Sequence, residues 1–381
     1  MSIEEKELSG RRASGDRVRL DSLTSLRFLA ALIVFASHVY VYIWYTGADP
    51  EKDPVTAMAV RLSLSGVSFF FLLSGFVLTW SARAQDTPRA FWRRRLAKIA
   101  PNHLVTWLVA FALLLVVGER VGLLRGLSTL LLVDAWIPDQ DVQSGVNPVS
   151  WSLGCELFFY LCFPFLNRWI SLIQPKRLWY WAAGLLAAIA AVPYLAVAVT
   201  PAEPKWAGLQ VTFVQHWLSY NFPPTRLLEF VLGMVLARIV ITGQWYPTRF
   251  RYVLVAVPVG YLVALQTEFP FLVMAILVVP LALLVLAAAH SDITGTAGLR
   301  RRSWVWLGDI SFAFYMTHLL VILYLQRLFN PQGGTGVLAS IGYTAAYLVI
   351  SVFVSWLLYR IVERPFMRRW GTSRRGGKVA T

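Results

Sequence analysis

The chain has 381 residues, of which 57% are hydrophobic and 14% aromatic, and only 14% are charged; its mean hydropathy is +0.59. Soluble domains carry about 25% charged residues, whereas here the charges gather between apolar runs of roughly 16 to 25 residues, and about 20 suffice to cross a hydrocarbon core of about 30 Å. A soluble globular domain is thereby excluded and an all-α polytopic membrane protein indicated, so the formal net charge of +15 has to be read loop by loop before it suggests nucleic acid.

Residues 1–20 are polar and basic, with no short apolar core ahead of a small-residue cleavage site. They are expected to form a disordered cytoplasmic tail rather than a cleavable leader, followed by a membrane domain over 21–366. The first span, 27–45, overlaps "SLRFLAALIVFASHVYVYIW" at 25–44. Eleven residues are about three helical turns, so Arg27 and His38 share a face about 16 Å apart along the axis. With Arg27 at the membrane surface, His38 falls near the midplane, where an ionisable ring is a functional candidate and a neutral imidazole can accept a proton. A polar residue bonding across helices is the simpler reading of such a histidine.

A second span is expected at 60–80. Before the third, at 100–117, stands "FWRRRLAKIAPNH" (91–103), which crowds Arg93, Arg94, Arg95 and Lys98 ahead of Pro101. Arg95 and Lys98 lie three apart on one helical face, placed to reach into a cavity together and hold a phosphate. No stacking platform accompanies them, so a small anion fits better than nucleic acid. The shorter apolar piece at 123–136 ends in aspartate and reads as a re-entrant or interfacial helix.

The fourth span, 150–167, overlaps "NPVSWSLGCELFFYLCFP" (147–164). Trp151 suits the interface, and Glu156 lies five residues, about 7.5 Å, deeper. A carboxylate there must be paired or protonated; it could orient a histidine, bond a substrate hydroxyl or tie helices together. Cys155 and Cys162, seven residues apart and so about 10 Å along one helix, are too distant for a disulfide and read as packing residues. Further spans are expected at 179–199, 225–242, 252–266, 270–289, 304–325 and 337–360. In the sixth, Arg226 and Glu229 are one turn apart and read as a structural ion pair. In the ninth, "WLGDISFAFYMTHLL" (306–320) sets Ser311, Tyr315 and His318 on one face at i, i+4, i+7. A basic cytoplasmic tail is expected over 367–381.

Charge selects this count of ten spans. With both termini cytoplasmic, the inner segments 1–27, 81–99, 168–178, 238–251, 290–303 and 360–381 hold 28 of the 35 basic residues, as the positive-inside rule requires. Making 123–136 a full span would put the acidic "PDQD" loop inside and reverse every later loop. The positive charge is mainly topology. No internal repeat and no metal-ligand spacing or nucleophile elbow is visible.

Six of these stretches, in order, resemble the integral-membrane type 3 acyltransferase family over about residues 20–366. They are Arg27 and His38 with ten residues between them, "GVSFFFLLSGFVL" (66–78), "RRLAKIAP" (94–101), "WSLGCELFFYLCFP" (151–164), "LGDISFAFYMTH" (307–318) and "ERP" (363–365). The family's second basic position in the third stretch is usually arginine; Lys98 keeps the charge without bidentate geometry.

The resemblance implies an O-acyltransferase that moves an acyl group, acetyl or another short chain, from acyl-CoA to a hydroxyl, usually on a sugar. The wording of 147–164 is similar to the actinobacterial branch that acylates macrolides or their sugars. His38, Arg27 and Glu156 would then be catalytic, with His38 as general base. Arg93, Arg94, Arg95 and Lys98 would bind acyl-CoA, and His318, Tyr315, Ser311 and Trp151 would serve the acceptor or support the base. No resident cofactor or metal is expected. The implied partners are acyl-CoA, a hydroxyl-bearing sugar or small molecule, and the bilayer, with location in the plasma membrane as a multi-pass protein. The runner-up is a transporter carrying intramembrane histidines on its substrate path.

Overall fold

The computed structural model describes residues 18–44, 54–83, 86–205, 211–245, 250–266, 272–296, 299–329 and 336–370. The expected tails 1–20 and 367–381 thus lie outside the described residues over 1–17 and 371–381, while 367–370 end a helix, Arg364–Trp370. Among the described residues the chain is helical, with no strand beyond one isolated bridge, Lys205 to Thr212. The helices are α1 (Asp21–Val39, continued by a π-helical turn, Tyr40–Trp44), α2 (Pro54–Trp80), α3 (Pro88–Val116), α4 (Leu123–Leu130), α5 (Gln140–Ser144), α6 (Trp151–Ser171) and α7 (Leu178–Val199). After them come α8 (Phe213–His216), α9 (Pro223–Ile241), α10 (Phe250–Leu265), α11 (Leu272–Thr294), α12 (Arg302–Phe329), α13 (Val337–Leu358) and α14 (Arg364–Trp370).

Among the described residues six helical stretches are long and apolar enough to cross a membrane: Asp21–Trp44, Pro88–Val116, Pro175–Val199, Ala275–Thr294, Arg302–Phe329 and Val337–Trp370. Helices also stand at the other four expected positions, but Leu64–Trp80 and Val255–Ala264 are shorter apolar stretches. The remaining two carry charge inside them: Glu156 and Arg168 in α6, and Arg226, Glu229 and Arg238 in α9. Length and composition thus support six spans where the loop charges lead one to expect ten. Large apolar side chains such as Leu161, Phe165, Tyr180 and Leu195 lie on the outside of the bundle, as expected where the solvent is lipid rather than water.

Local chemistry starts the helices. Thr87 caps α3 by accepting from the Ala90 N–H at 3.3 Å, with Pro88 at the first helical position. Helix α1 has no cap of its own. Its first turn is held by Asp292, 270 residues later at the end of α11, which accepts from the Ser22 N–H at 2.8 Å and the Ser22 hydroxyl at 2.7 Å. The Arg300 guanidinium donates to the same carboxylate at 2.9 Å. A carboxylate at a helix N-terminus is favoured by the macrodipole.

Small residues let the helices touch. A Cβ added to Gly75 or Gly233 would strike the Phe230 or Leu72 carbonyl respectively, so α2 and α9 cross backbone to backbone. Gly308 brings α12 equally close to Thr24 of α1, and Gly66 brings α2 against Val34. This is the close packing by small residues that membrane helices use in place of a hydrophobic drive. Two glycines of "GVSFFFLLSGFVL" and one of "LGDISFAFYMTH" therefore have packing roles.

The piece at 123–136 folds back alongside α3. His103 lies thirteen residues before the end of α3, about 20 Å along its axis, yet its Nε2–H donates to the Leu130 carbonyl at 3.1 Å. Helix α4 exposes Leu123, Leu124 and Leu127 and buries Ser128 and Thr129. After it, Asp134 is 1% exposed, and burial pushes its carboxyl up to about 7 from 3.8.

Two predictions follow from this packing. Gly233→Val should force α2 and α9 apart and lower thermal stability in detergent by about 1–3 kcal/mol; an unchanged unfolding midpoint would contradict the contact. Between about 3.8 and 7 the folded chain keeps the Asp134 proton that the unfolded chain has released, so the stability it contributes is full below that window and lost as pH rises through it. Asp134→Asn should accordingly be more stable than the parent at about pH 8, and that advantage should shrink toward about pH 5. A difference that does not vary with pH would refute the assignment.

Candidate active site

The two histidines singled out from the sequence meet. His38, in the last turn of α1, and His318, on α12, place Nδ1 and Nε2 2.9 Å apart, with their rings stacked at 5.2 Å between centroids. His318 is fully buried, under a collar formed by Phe35 at 6.3 Å and Phe314 at 5.8 Å. Its Nδ1 faces two carbonyls of its own helix, Tyr315 at 2.7 Å and Phe314 at 3.1 Å. A carbonyl can only accept, so Nδ1 of His318 carries the hydrogen, and in a neutral ring Nε2 is then the acceptor. His38 must donate its Nδ1–H to it. Nε2 of His38 is left with its lone pair.

Toward the end of the bundle where α1 begins, here named the basic end, a narrow slot of about 40 Å³ is bounded by Arg27, Glu156, Ser152, Phe312 and Tyr315. Glu156 accepts from the Tyr160 hydroxyl at 3.0 Å, and the Ser152 and Tyr315 hydroxyls are 2.8 Å apart. The Tyr315 ring lies 5.7 Å from that of His318. Arg27 and Phe312 also line a second, wider cavity of about 350 Å³ at the basic end, together with Lys98, Ser311, Asp309 and Glu363. Ser311, Tyr315 and His318 thus form a row along α12 that runs from this mouth, past the slot, to the paired imidazoles.

The basic run before the third span is divided. Lys98 faces the 350 Å³ cavity, while Arg95 and Arg94 face a different one of about 1090 Å³, so Arg95 and Lys98 do not enter one cavity together as their spacing suggests. Arg94 is already paired with Asp86, and Arg95 lies 5.4 Å over the Phe91 ring. Arg93 is exposed. Phe91 stacks on Phe163 at 4.7 Å, both lining the large cavity, and meets Tyr160 at 6.4 Å.

Trp151 sits in an aromatic layer, 5.0 Å from Tyr220 and 6.5 Å from Phe71. Arg226 and Glu229 form a buried pair at 3.0 Å; Arg226 also donates to the Ser68 hydroxyl at 2.9 Å and lies over the rings of Phe71 and Tyr220. Cys155 and Cys162 are both free thiols. Among the described residues no group of three or more His, Cys, Asp or Glu is placed to hold a metal. Sequence reasoning passed over Ser152, Asp309, Phe312 and Glu363. All four stood inside quoted motifs, and Glu363 accepts from the buried Asn102 amide at 2.7 Å.

The family model described as "Acyltransferase domain" matches residues 20–360. The chain belongs to the type 3 acyltransferase family. It is 40% identical over 367 residues to Acyltransferase MdmB of Streptomyces mycarofaciens, covering 94% of each chain. It is 28% identical over 346 residues to Nodulation protein 10 of Rhizobium leguminosarum bv. viciae, covering 82% of this chain and 85% of that one. A third relative, YrhL of Bacillus subtilis (strain 168), provisionally named a peptidoglycan O-acetyltransferase, is 25% identical over 91% of this chain and 54% of its own length. No solved structure matches. Family and apolar helices together make this a multi-pass membrane acyltransferase of the actinobacterial branch.

The buried ion pair reads as structural, and its removal can be measured. Glu229→Leu leaves the Arg226 guanidinium buried without its carboxylate and should cost about 3–5 kcal/mol, most of it recovered when Arg226→Met is added. An unfolding midpoint unchanged in the single variant would contradict this.

Proposed function

We propose that the protein transfers an acetyl or other short acyl group from acyl-CoA to a hydroxyl on a sugar, glycan or macrolide-type metabolite, with His38 as general base. The observation that carries the reading is the 2.9 Å contact between the imidazoles, anchored on the Tyr315 carbonyl. It leaves one basic nitrogen, Nε2 of His38, at one end of the row of Ser311, Tyr315 and His318, whose other end lines the mouth. In this reading Nε2 takes the proton of the acceptor hydroxyl as its oxygen attacks the thioester carbonyl. The tetrahedral intermediate then collapses, the C–S bond breaks, and the departing thiolate recovers the proton from the imidazolium. A placed base of this kind contributes about 10² to 10⁴ in rate.

His318 acts through His38, fixing which nitrogen is free, and is a positioning residue. Arg27, between slot and mouth, is suited to the donor or to the negative charge that develops on the carbonyl oxygen. Glu156 and Tyr315 line the slot, where they can hold the reacting groups in line. The extended pantetheine arm suits in length the path of about 15 Å from surface to midplane, and its entry requires the slot of about 40 Å³ to widen. The topology that goes with this reading has ten spans in the plasma membrane with both termini and the basic end cytoplasmic, where acyl-CoA is made. No resident cofactor or metal is required.

His38→Ala should lower turnover by at least about 10² with amount and insertion of the protein unchanged; retained turnover would remove His38 as the base. His318→Leu should lower kcat with little change in KM for acyl-CoA, and His318→Gln, whose side-chain oxygen can still accept from His38, should recover part of the loss. A change confined to KM would refute the tautomer role.

A further inference from the structure

The catalytic imidazoles hang from α1 and α12, so a donor reaching them from the basic end has to travel beside those two helices. The large cavity of about 1090 Å³ is lined by α2, α3, α6, α9 and the loop between α2 and α3, and by no residue of α1 or α12. Phe91 and Phe163, stacked at 4.7 Å, stand among its lining residues. The cavity of about 350 Å³ is walled by both histidine-bearing helices and shares Arg27 and Phe312 with the slot. Arg364 and Arg368, on the short helix α14, line it together with Lys98. Both arginines are exposed, as groups must be that meet a ligand arriving from water.

Resting on the acyl-CoA reading above, we propose that Arg364 and Arg368, with Lys98, hold the phosphates of the donor's nucleotide end at this mouth, and that the larger arginine-rich cavity lies off the donor's path. The cavity presents four cationic side chains, Arg27, Lys98, Arg364 and Arg368, against two carboxylates, Asp309 and Glu363. Glu363 is engaged by Asn102 at 2.7 Å, and Arg19 stands 4.0 Å from Asp309, so the surplus is positive. Guanidinium groups suit phosphate because they donate two parallel N–H bonds in a plane. Lys98, the departure from the family's usual arginine, then acts as a point charge beside two arginines supplied from the far end of the sequence. The arm leads past Arg27 into the slot, and the thioester arrives beneath His38.

The test compares wild type, Arg364→Gln/Arg368→Gln and Arg168→Gln/Arg238→Gln, each purified into phosphatidylcholine nanodiscs without anionic lipid. Equilibrium binding of CoA is measured, together with turnover of acetyl-CoA and of S-acetyl-N-acetylcysteamine, a thioester without phosphates. The first double variant should bind CoA at least about tenfold more weakly, the loss expected for charge-assisted hydrogen bonds, and should lose turnover with acetyl-CoA far more than with the phosphate-free thioester. The second should bind CoA as wild type does. CoA binding unchanged in the first variant, or weakened equally in both, overturns the proposal. So does an equal loss with both thioesters, which would give the arginines a role in folding or lipid-headgroup binding. Failure of the parent reading looks different: His38→Ala would then keep its turnover whatever the arginine variants do.

Discussion

An imidazole withdrawn from water has to find its partners inside the protein, and His38 and His318 meet that demand through each other. The bond has a direction because its far end is anchored on backbone. The carbonyls of Phe314 and Tyr315 can only accept, which settles the hydrogen on His318 and, through it, the hydrogen on His38. One lone pair is left over. The fold around it serves to hold two helices from opposite ends of the chain at the separation this single bond needs.

That separation is set by packing rather than by the histidines. Gly308 admits the Thr24 carbonyl, and Gly66 admits Val34. Asp292 and Arg300 pin the first turn of α1. Phe28, Phe35 and Phe314 fill the space between α1 and α12, with ring centroids 5.4 and 5.7 Å apart. The π-helical turn Tyr40–Trp44 begins two residues after His38, the kind of local departure from α geometry that often accompanies a functional site, and Trp44 ties it to Thr344 of α13 at 3.1 Å. A loosened contact at the basic end would tilt α1 and lengthen the imidazole bond at the other.

Helical periodicity made much of this legible. Arg27 and His38 share a face of α1, and Ser311, Tyr315 and His318 share one of α12, because 3.6 residues per turn fixes both rows from the sequence alone. What periodicity cannot show is which rows face each other, since the partner of His38 lies 280 residues away. It also misjudged Arg95 and Lys98, where a face narrow enough to hold both still straddles the ridge between two cavities. Arg364 and Arg368 were hidden for another reason: a basic tail after the last span is what the positive-inside rule predicts anyway, so its charge carries no further signal. The count of spans stays divided because α6 and α9 carry Glu156, Arg226 and Glu229, charges that a span tolerates only when they are paired or face a cavity.

Catalysis in this reading requires Nε2 of His38 to be the nitrogen that deprotonates the acceptor hydroxyl beside the thioester. A cryo-electron microscopy structure with a non-hydrolysable thioether analogue of acyl-CoA addresses this directly. The arm should lie in the slot between Arg27 and Tyr315, with the acyl carbon at reacting distance, about 3–3.5 Å, from an acceptor oxygen site beside that nitrogen. An acyl end lodged among Arg94 and Arg95, with the slot empty and His38 turned toward lipid, would contradict it.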